Sequence, residues 1–583
     1  MGALFLVSTA DPVFACQSET AAREQFALHG MRGLSGHDVP GWRLIHAPAI
    51  NGGPDSLLID GDDLVAVAGT IVVDGRYGRP ALKALLASDM MPAPDWTRVG
   101  GHFVAVVRRG GRTFLLGDCY GVYQLFHDTD ERIFSTSQLA TLAAMPKVSF
   151  HVQGLYEWAF GVCSIGNDTV WNELKFLGPE RLVELTPTGT LSHALSKPLI
   201  VPPDDALPLA EMIARNSAQL MRVTQAQVDA FGNQINCPLS GGMDSRLMLA
   251  ALRAAGCQPR VYVYGPPSGS DVVIAKAIGK AEGFDVEWID KQADPIAQDA
   301  FTVQAKRNFH ELDGLPNFGN LFDNGVNALA REKRHANGAL AVSGGGGEVY
   351  RDFFMLADRP VSAMTVTRCF NSRFIASDAT DLFDAKAYRE RIADKVAAAV
   401  FCDDRNEMLD RRRMEQAFPR TRLRSLFRWE INIESRYGPW AMTFLDPVLM
   451  AEAMRLPTDI KFAGRFEGMM INAIDPALAR HVSGYGHDFT GAPGVRYRLE
   501  EGATRNRPVW LRERSYAIQR RMKPMSDEHG GILTPDYLGR VIDLGFPAMR
   551  RFFHVDRITD SGLKRRVACL EYMVAWLGSK LAS

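Results

Sequence analysis

Residues 237–252 read CPLSGGMDSRLMLAAL, and the six residues Ser240-Gly241-Gly242-Met243-Asp244-Ser245 at their centre are of types that together hold a phosphate. The apolar run QINCPL before them has the pattern of a buried strand, and 246–255 after them has the pattern of a helix. Gly241 and Gly242 permit backbone angles and close approaches that a Cβ forbids. Several backbone N–H groups and a helix N-terminus are therefore expected to point into one small space, which suits a phosphate group. The hydroxyls of Ser240 and Ser245 add donors. Asp244 would repel phosphates unless a Mg²⁺ lay between them. The spacing is not that of a Walker A loop, since no lysine follows the glycines, and it is not G-x-G-x-x-G.

The elements around this loop predict a parallel sheet. Strands over 260–264 and 285–289 alternate with helices over 246–255 and 271–282, a βαβαβ pattern. Asp271 is expected to cap the second of those helices. Before residue 200 the pattern is different: short strand runs over 64–78, 100–118 and 180–192 are broken by glycine turns. The proline- and acid-rich stretch 196–210 reads as a linker, and the chain from about residue 330 onward reads as mainly helical.

Composition narrows the function. The 583 residues carry a formal net charge of −1, which argues against a general nucleic-acid binder. The eight cysteines are scattered with no C-x-x-C pair, as in a protein of a reducing cytoplasm. No apolar stretch is long enough to predict a membrane span. The apolar N-terminus lacks a basic n-region and is interrupted by Asp11, so it reads as a first strand.

The loop resembles the pyrophosphate-binding loop of the ATP-pyrophosphatase (PP-loop) enzymes, and among them the asparagine-synthetase branch. In that family ATP is split between its α- and β-phosphates, a carboxylate becomes an acyl-adenylate, and an amine displaces AMP to form an amide. The resemblance implies ATP and Mg²⁺ as ligands. It extends to LAVSGGGGEVYRDFF (340–354), where Ser343, Gly344 and Gly346 match the family's second loop. Glu348 falls on the family's metal-binding aspartate, which would make Asp244 and Glu348 the metal ligands. Gly345 falls where asparagine synthetases carry a catalytic glutamate. Val263 and Gly265, at a strand end, would lie beside the nucleotide base. Phe444-Leu445-Asp446 keeps the core of a family turn, and the helix before it offers Glu430, Glu434 and Tyr437 as candidate substrate-site groups. QRRMKPM (519–525) places Lys523 on the family's catalytic lysine, where a cation offsets charge developing on the phosphates.

The same resemblance implies an α+β glutaminase-like (Ntn-type) sandwich over residues 1–200 and an α/β PP-loop domain with a helical C-terminal part over 201–583. The glutaminase chemistry needs a cysteine at the mature N-terminus. Residue 2 is glycine, Cys16 lies beyond the first strand, and the family's N-G-E motif becomes Ala68-Gly69-Thr70. This domain is therefore expected not to hydrolyse glutamine.

A synthetase of this type must take its amine elsewhere. The lasso-peptide cyclases of the superfamily take it from the substrate itself. Two features favour them over the β-lactam synthetases. Gly345 offers no side chain to help a poor nucleophile, and a peptide α-amine, with a pKa of about 8, needs less help. About 60 residues, 370–427, separate the second loop from the F-L-D helix, and their basic stretch would cover a peptide. The expected reaction joins an Asp or Glu side chain of a precursor peptide to its N-terminal amine. A leader peptidase and a leader-binding protein are the partners implied. The alternatives are an ammonia-dependent asparagine synthetase or other small-molecule amide ligase, and a non-catalytic scaffold.

Overall fold

The structure, a computed structural model, describes residues 2–200, 207–291, 296–522 and 532–582. Before residue 200 the strands are β1 (Ala3–Ser8), β2 (Ser35–Val39), β3 (Trp42–Ala47), β4 (Leu57–Asp60), β5 (Asp63–Val73), β6 (Val99–Arg109), β7 (Arg112–Gly117), β8 (Phe126–Asp128), β9 (Ile133–Ser135), β10 (Leu174–Phe176), β11 (Arg181–Thr186) and β12 (Gly189–Ala194). They form two six-stranded sheets, ordered β10-β8-β9-β1-β3-β2 and β12-β11-β7-β6-β5-β4, with antiparallel pairing.

The period-2 alternation of these strands explains the layering. Leu4 and Leu6 of β1 share an inner core with Leu64, Ala66 and Leu115 of the other sheet. Phe5 and Val7, pointing the other way, pack on Ala22 and Phe26 of the helix Pro12–Leu28. In β5, Val65 and Val67 turn outward onto Leu82 and Leu85 of the helix Gly78–Ala87. The result is a helix–sheet–sheet–helix sandwich, which fits the α+β sandwich expected. Asp11, the residue that interrupts the apolar N-terminus, caps the first helix by accepting from Val13 N and Phe14 N, both at 3.0 Å.

Beyond the sandwich lies a five-stranded parallel sheet of β13 (Ile235–Pro238), β14 (Arg260–Tyr264), β15 (Val286–Ile289), β16 (Leu340–Ser343) and β17 (Trp440–Met442). Its order is β15-β14-β13-β16-β17. The chain winds one way from β13 to β15 and the other way from β16 to β17, so β13 and β16 flank the point where the order reverses. Ligands bind at the carboxyl ends of the strands at such points. Edge strand β17 is covered by the sandwich: Trp440 N donates to Thr70 Oγ1 and Met442 N to His102 Nε2, each at 3.1 Å.

The helix Arg424–Tyr437 is the seam between the two halves, and residues 431–437 are buried. Asn432 Nδ2 donates to Thr136 O at 2.8 Å, and Ser435 O accepts from Gly2 N at 3.0 Å. Arg436 pairs with Asp313 at 2.9 Å, both side chains 2 % exposed. Asp313 in turn accepts from Ser137 Oγ, Gln138 N and Leu139 N, holding the start of the helix Gln138–Ala144.

Several arginines of the basic stretch within 370–427 are turned onto protein groups. Arg411 is buried against Asp352 and Glu415. Arg413, Arg420 and Arg422 donate to the carbonyls of Val400, Lys197 and Gly161. Arg428 donates to Gly166 O and lies 3.8 Å from the centre of the Phe176 ring. Arg420 and Arg422 tie the insertion to the sandwich, as does Arg428 just beyond it.

Replacing Asp313→Ala strands the buried Arg436 and uncaps a helix. Urea unfolding is expected to show a loss of about 3–5 kcal/mol. A loss under about 1 kcal/mol, the value of an exposed pair, would mean that the seam does not depend on this carboxylate.

Candidate active site

The loop 240–245 leaves the end of β13 and enters the helix Asp244–Ala254. Ser240 and Ser245 close it: their hydroxyls are 2.9 Å apart, Ser245 Oγ accepts from Ser240 N at 3.0 Å, and Ser240 Oγ accepts from Gly242 N at 3.1 Å. Gly241 N donates to Asp271 Oδ1 at 2.8 Å. Asp271 therefore does not cap its own helix, Ser270–Glu282, whose N-cap is Gly269; it braces the loop instead. Gly484 N donates to Gly241 O, which lays the segment 483–485 across the loop. Arg246, fully buried, donates to His481 O and Val482 O and pins that segment to the loop's helix.

The second loop leaves β16, the next strand in the sheet. Ser343 Oγ accepts from Gly345 N at 3.1 Å, and Glu348 Oε2 accepts from Gly346 N at 3.0 Å. The two loops touch, and glycine makes this contact feasible. A Cβ on Gly344 would stand 2.8 Å from Ser245 N, and one on Gly347 would stand 2.4 Å from Asp244 Oδ1. A Cβ on Gly345 would meet Met442 Cε at 2.1 Å, so the space of the missing glutamate is filled.

At the meeting point Asp244 and Glu467 share one cation, with Glu348 near Asp244. Arg351 Nη2 donates to both Asp244 oxygens, at 2.8 and 2.6 Å, and its Nε lies 3.2 Å from Glu467 Oε2. Burial, and then the negative charge of Asp244, push the Glu348 carboxyl above its usual range. The same two causes push Glu467, whose side chain is fully buried, much further up. Arg351 Nη1 also reaches Tyr485 Oη at 3.5 Å.

Among the described residues, no group of three or more His, Cys, Asp or Glu side chains is placed to hold a metal by itself. The donor set suits a hard cation bound by one or two carboxylates and completed by phosphate oxygens, which is how Mg²⁺ is commonly held. Asp244 and Glu348, one from each loop, are the carboxylates that would hold it.

The structure thus brings together Ser240, Gly241, Gly242, Asp244, Ser245, Ser343, Gly344, Gly346 and Glu348. Val263 lies near the end of β14, one strand away, and Gly265 directly follows that strand. The Val263 side chain is buried in the core, and Gly265 O accepts from Trp288 Nε1 at 2.9 Å. Lys523 lies outside the described residues.

Glu434 and Tyr437 are placed elsewhere. Glu434 Oε1 accepts from Arg331 Nε at 2.9 Å and Arg334 Nη2 at 2.6 Å, and its Oε2 is 3.1 Å from His335 Nε2. Burial alone would raise its pKa; Arg334, His335 and Arg331 outweigh it and hold the carboxyl well below its usual range. Tyr437 packs in an apolar cluster with Leu312, Trp429 and Ile433. Glu430 lies one helical turn before Glu434, and burial followed by the Glu434 charge pushes its pKa up. Glu434 and Tyr437 are built into the packing under the helix Arg424–Tyr437 rather than into the two loops.

Arg351, Glu467, Tyr485 and the bracing role of Asp271 were not evident from sequence. Arg351 stands three residues after Glu348 in the second-loop string, a visible signal. Glu467 and Tyr485 sit in stretches with no motif.

In the sandwich, residue 2 has no room for a nucleophile: a Cβ there would stand 1.8 Å from Ala47 O. Thr70, where the N-G-E motif is altered, accepts from β17.

Two outcomes follow. Gly347→Ala is expected to force the loops apart, weakening nucleotide binding by roughly tenfold or more, a loss of over ~1.4 kcal/mol, with little change in melting temperature. Glu434→Gln is expected to cost about 3–5 kcal/mol at neutral pH. Because the native pKa of Glu434 is depressed, its contribution is present above the unfolded value of 4.5 and lost as pH falls below it. The stability gap between the two proteins should therefore close in acid; a gap independent of pH would contradict the ion-pair account.

No protein-family model matches the chain, and no curated protein matches it. Solved structures that match include an allosteric regulatory enzyme of purine biosynthesis, at 11 % identity and a TM-score of 0.22 over 51 % of this chain and 82 % of that one. Another is the glutamine phosphoribosylpyrophosphate amidotransferase of B. subtilis complexed with ADP and GMP, at 11 % identity and a TM-score of 0.23 over 51 % and 83 %. At these scores the matches carry neither a fold nor a function across to this chain, and its chemistry rests on its own residues.

Proposed function

We propose that the chain is an ATP-dependent, AMP-forming amide ligase, and that its reaction is that of a lasso-peptide cyclase. One observation carries the ligase reading: two glycine loops meet at the carboxyl ends of β13 and β16 with a carboxylate from each, Asp244 and Glu348, at the contact. The N–H groups of 240–245 and the helix behind them suit the phosphates of ATP. Mg²⁺, when bound, would offset charge between those phosphates and Asp244 and Glu348. Arg351 already reaches Glu467, so it keeps a carboxylate partner when Asp244 turns to a cation. Lys523, by its place in sequence, would offset charge on the departing pyrophosphate.

The cyclase reading draws on what the site omits. Residue 2 has no room for a glutaminase nucleophile, so the amine must come from another source. No side chain stands at Gly345 to deprotonate a poor nucleophile, which suits a peptide α-amine. A carboxylate of a precursor peptide would attack the α-phosphate, pyrophosphate would leave, and the N-terminal amine would displace AMP to close a ring. A precursor peptide, a leader peptidase and a leader-binding protein are the partners of this reading. One observation favours a second reading, a non-catalytic scaffold: the guanidinium of Arg351 covers both oxygens of Asp244.

The test is pyrophosphate release with Mg·ATP, comparing leader-free precursor peptides with free aspartate plus ammonia. Peptide-dependent release and a product lighter by one water are expected. Release with aspartate and ammonia alone would replace the cyclase by a small-molecule ligase, and silence with every substrate and the leader peptidase present would favour the scaffold. Asp244→Asn should lower release by about a hundredfold, as expected when a metal's carboxylate ligand worth several kcal/mol is lost.

A further inference from the structure

A cavity of about 720 Å³ lies beside the second loop, and its charges do not balance. Glu348 and Arg351 line the end next to the two glycine loops. The helices Val495–Arg505 and Val509–Met522 contribute Tyr497, Glu501, Arg512 and Tyr516, and the segment 369–373 contributes Phe370 and Arg373. Besides Arg351 and Arg520, four guanidiniums line this space: Arg373, Arg422, Arg507 and Arg512.

None of the four has a carboxylate partner among the described residues. Arg512 donates to Met355 O and Phe354 O, and Arg422 donates to Gly161 O. Arg373 and Arg507 have no side-chain hydrogen bond or ion pair among the described residues. None of the acids on the lining forms an ion pair with these four among the described residues. Asp352 is paired with Arg411 at 2.6 Å, and burial raises the pKa of Glu501. By contrast Arg520, on the same wall, is paired with Asp560 at 2.6 Å. Arg373 feels its neighbours: burial first, then the charges of Arg422 and Arg512, lower its pKa.

Like charges gathered around a cavity repel one another, and in a partly buried space that repulsion is screened less than in water. An array of this kind is relieved by an anion, and guanidinium forks match carboxylates two oxygens at a time. Position decides which anion. The cavity lies on the β16 side of the loop pair, whereas β14, the strand assigned to the nucleotide base, lies across β13 from it. A cavity of this volume accepts a ligand much larger than one amino acid.

We infer that this cavity seats the acyl substrate as an acidic peptide segment. One carboxylate is delivered past Glu348 to the loop pair, and further carboxylates are held by Arg373, Arg422, Arg507 and Arg512. The inference rests on the ligase reading and adds to it the chemical class of the substrate.

The experiment uses the full chain, a fluorescein-labelled tetraglutamate peptide, a tetralysine control and inorganic tripolyphosphate, with Mg·ATP affinity measured in parallel. Tetraglutamate should bind, tetralysine should not, and added salt should weaken the complex. In the double variant Arg373→Ala/Arg507→Ala the affinity for tetraglutamate should fall by roughly tenfold or more, the scale of one or two lost charge-assisted hydrogen bonds. Mg·ATP affinity should stay within about twofold, a change of only ~0.4 kcal/mol. Because neither arginine has a hydrogen-bond or ion-pair partner among the described residues, the melting temperature should not drop. Failure of tetraglutamate to bind, equal binding by the double variant, or binding of tripolyphosphate in place of the peptide would each overturn the inference. Tetraglutamate binding without Mg·ATP binding would overturn the ligase reading and leave the acidic-peptide site standing. Mg·ATP binding without tetraglutamate binding would do the reverse.

Discussion

The carboxylate of Asp244 sets the terms for everything around it. It sits at the start of a helix, in a loop whose backbone is arranged to attract anions, with two more carboxylates, Glu348 and Glu467, close by. Three acids in one largely buried space cannot all be ionised without a cation. Arg351 supplies that charge in this structure, while burial and the charge of Asp244 raise the pKa of Glu467. Glycines 344 and 347 have no side chains because the second loop must lie directly on Asp244 and Ser245.

Holding two loops at that separation requires two strands that do not drift. β13 and β16 are hydrogen-bonded neighbours, and β17 fixes the other edge of β16. β17 would be an open edge if the sandwich did not close it through Thr70 and His102. The sandwich thus keeps a structural task at positions where the resemblance would place glutaminase chemistry. The same logic explains the seam helix Arg424–Tyr437, whose acid–arginine cluster at Glu434 and whose Arg436–Asp313 pair fix the sandwich against the parallel sheet.

Arginine does two different jobs on either side of this seam. Arg411 and Arg436 are buried in ion pairs, and Arg420, Arg422 and Arg428 end on carbonyl oxygens, where a planar fork satisfies acceptors that water cannot reach. Around the cavity beside Glu348, Arg373, Arg422, Arg507 and Arg512 have no carboxylate partner among the described residues. Arg422 belongs to both groups: one nitrogen is bound to Gly161 O while the side chain also lines the cavity. The difference lies in what each side chain meets after folding, since the residues have the same type.

Local patterns were enough to determine the strand-loop-helix at 235–254, the alternation that follows it, the antiparallel strands before residue 200, and the residues of both glycine loops. These depend on periodicity and on glycine, which act over a few residues. The closeness of Asp244 to Glu348 came only from the resemblance, and the tertiary structure supplied its physical basis in adjacent parallel strands. Other features were decided by packing alone. Glu434 and Tyr437 share a helix with plausible site groups, yet the helix turns them onto Arg334 and Trp429. Asp271 has the place of a helix cap but finds Gly241 N, a donor thirty residues away. Arg351, Glu467 and Tyr485 come from three separate segments. No local rule predicts that they converge, because ion pairing and burial are settled by which surfaces meet.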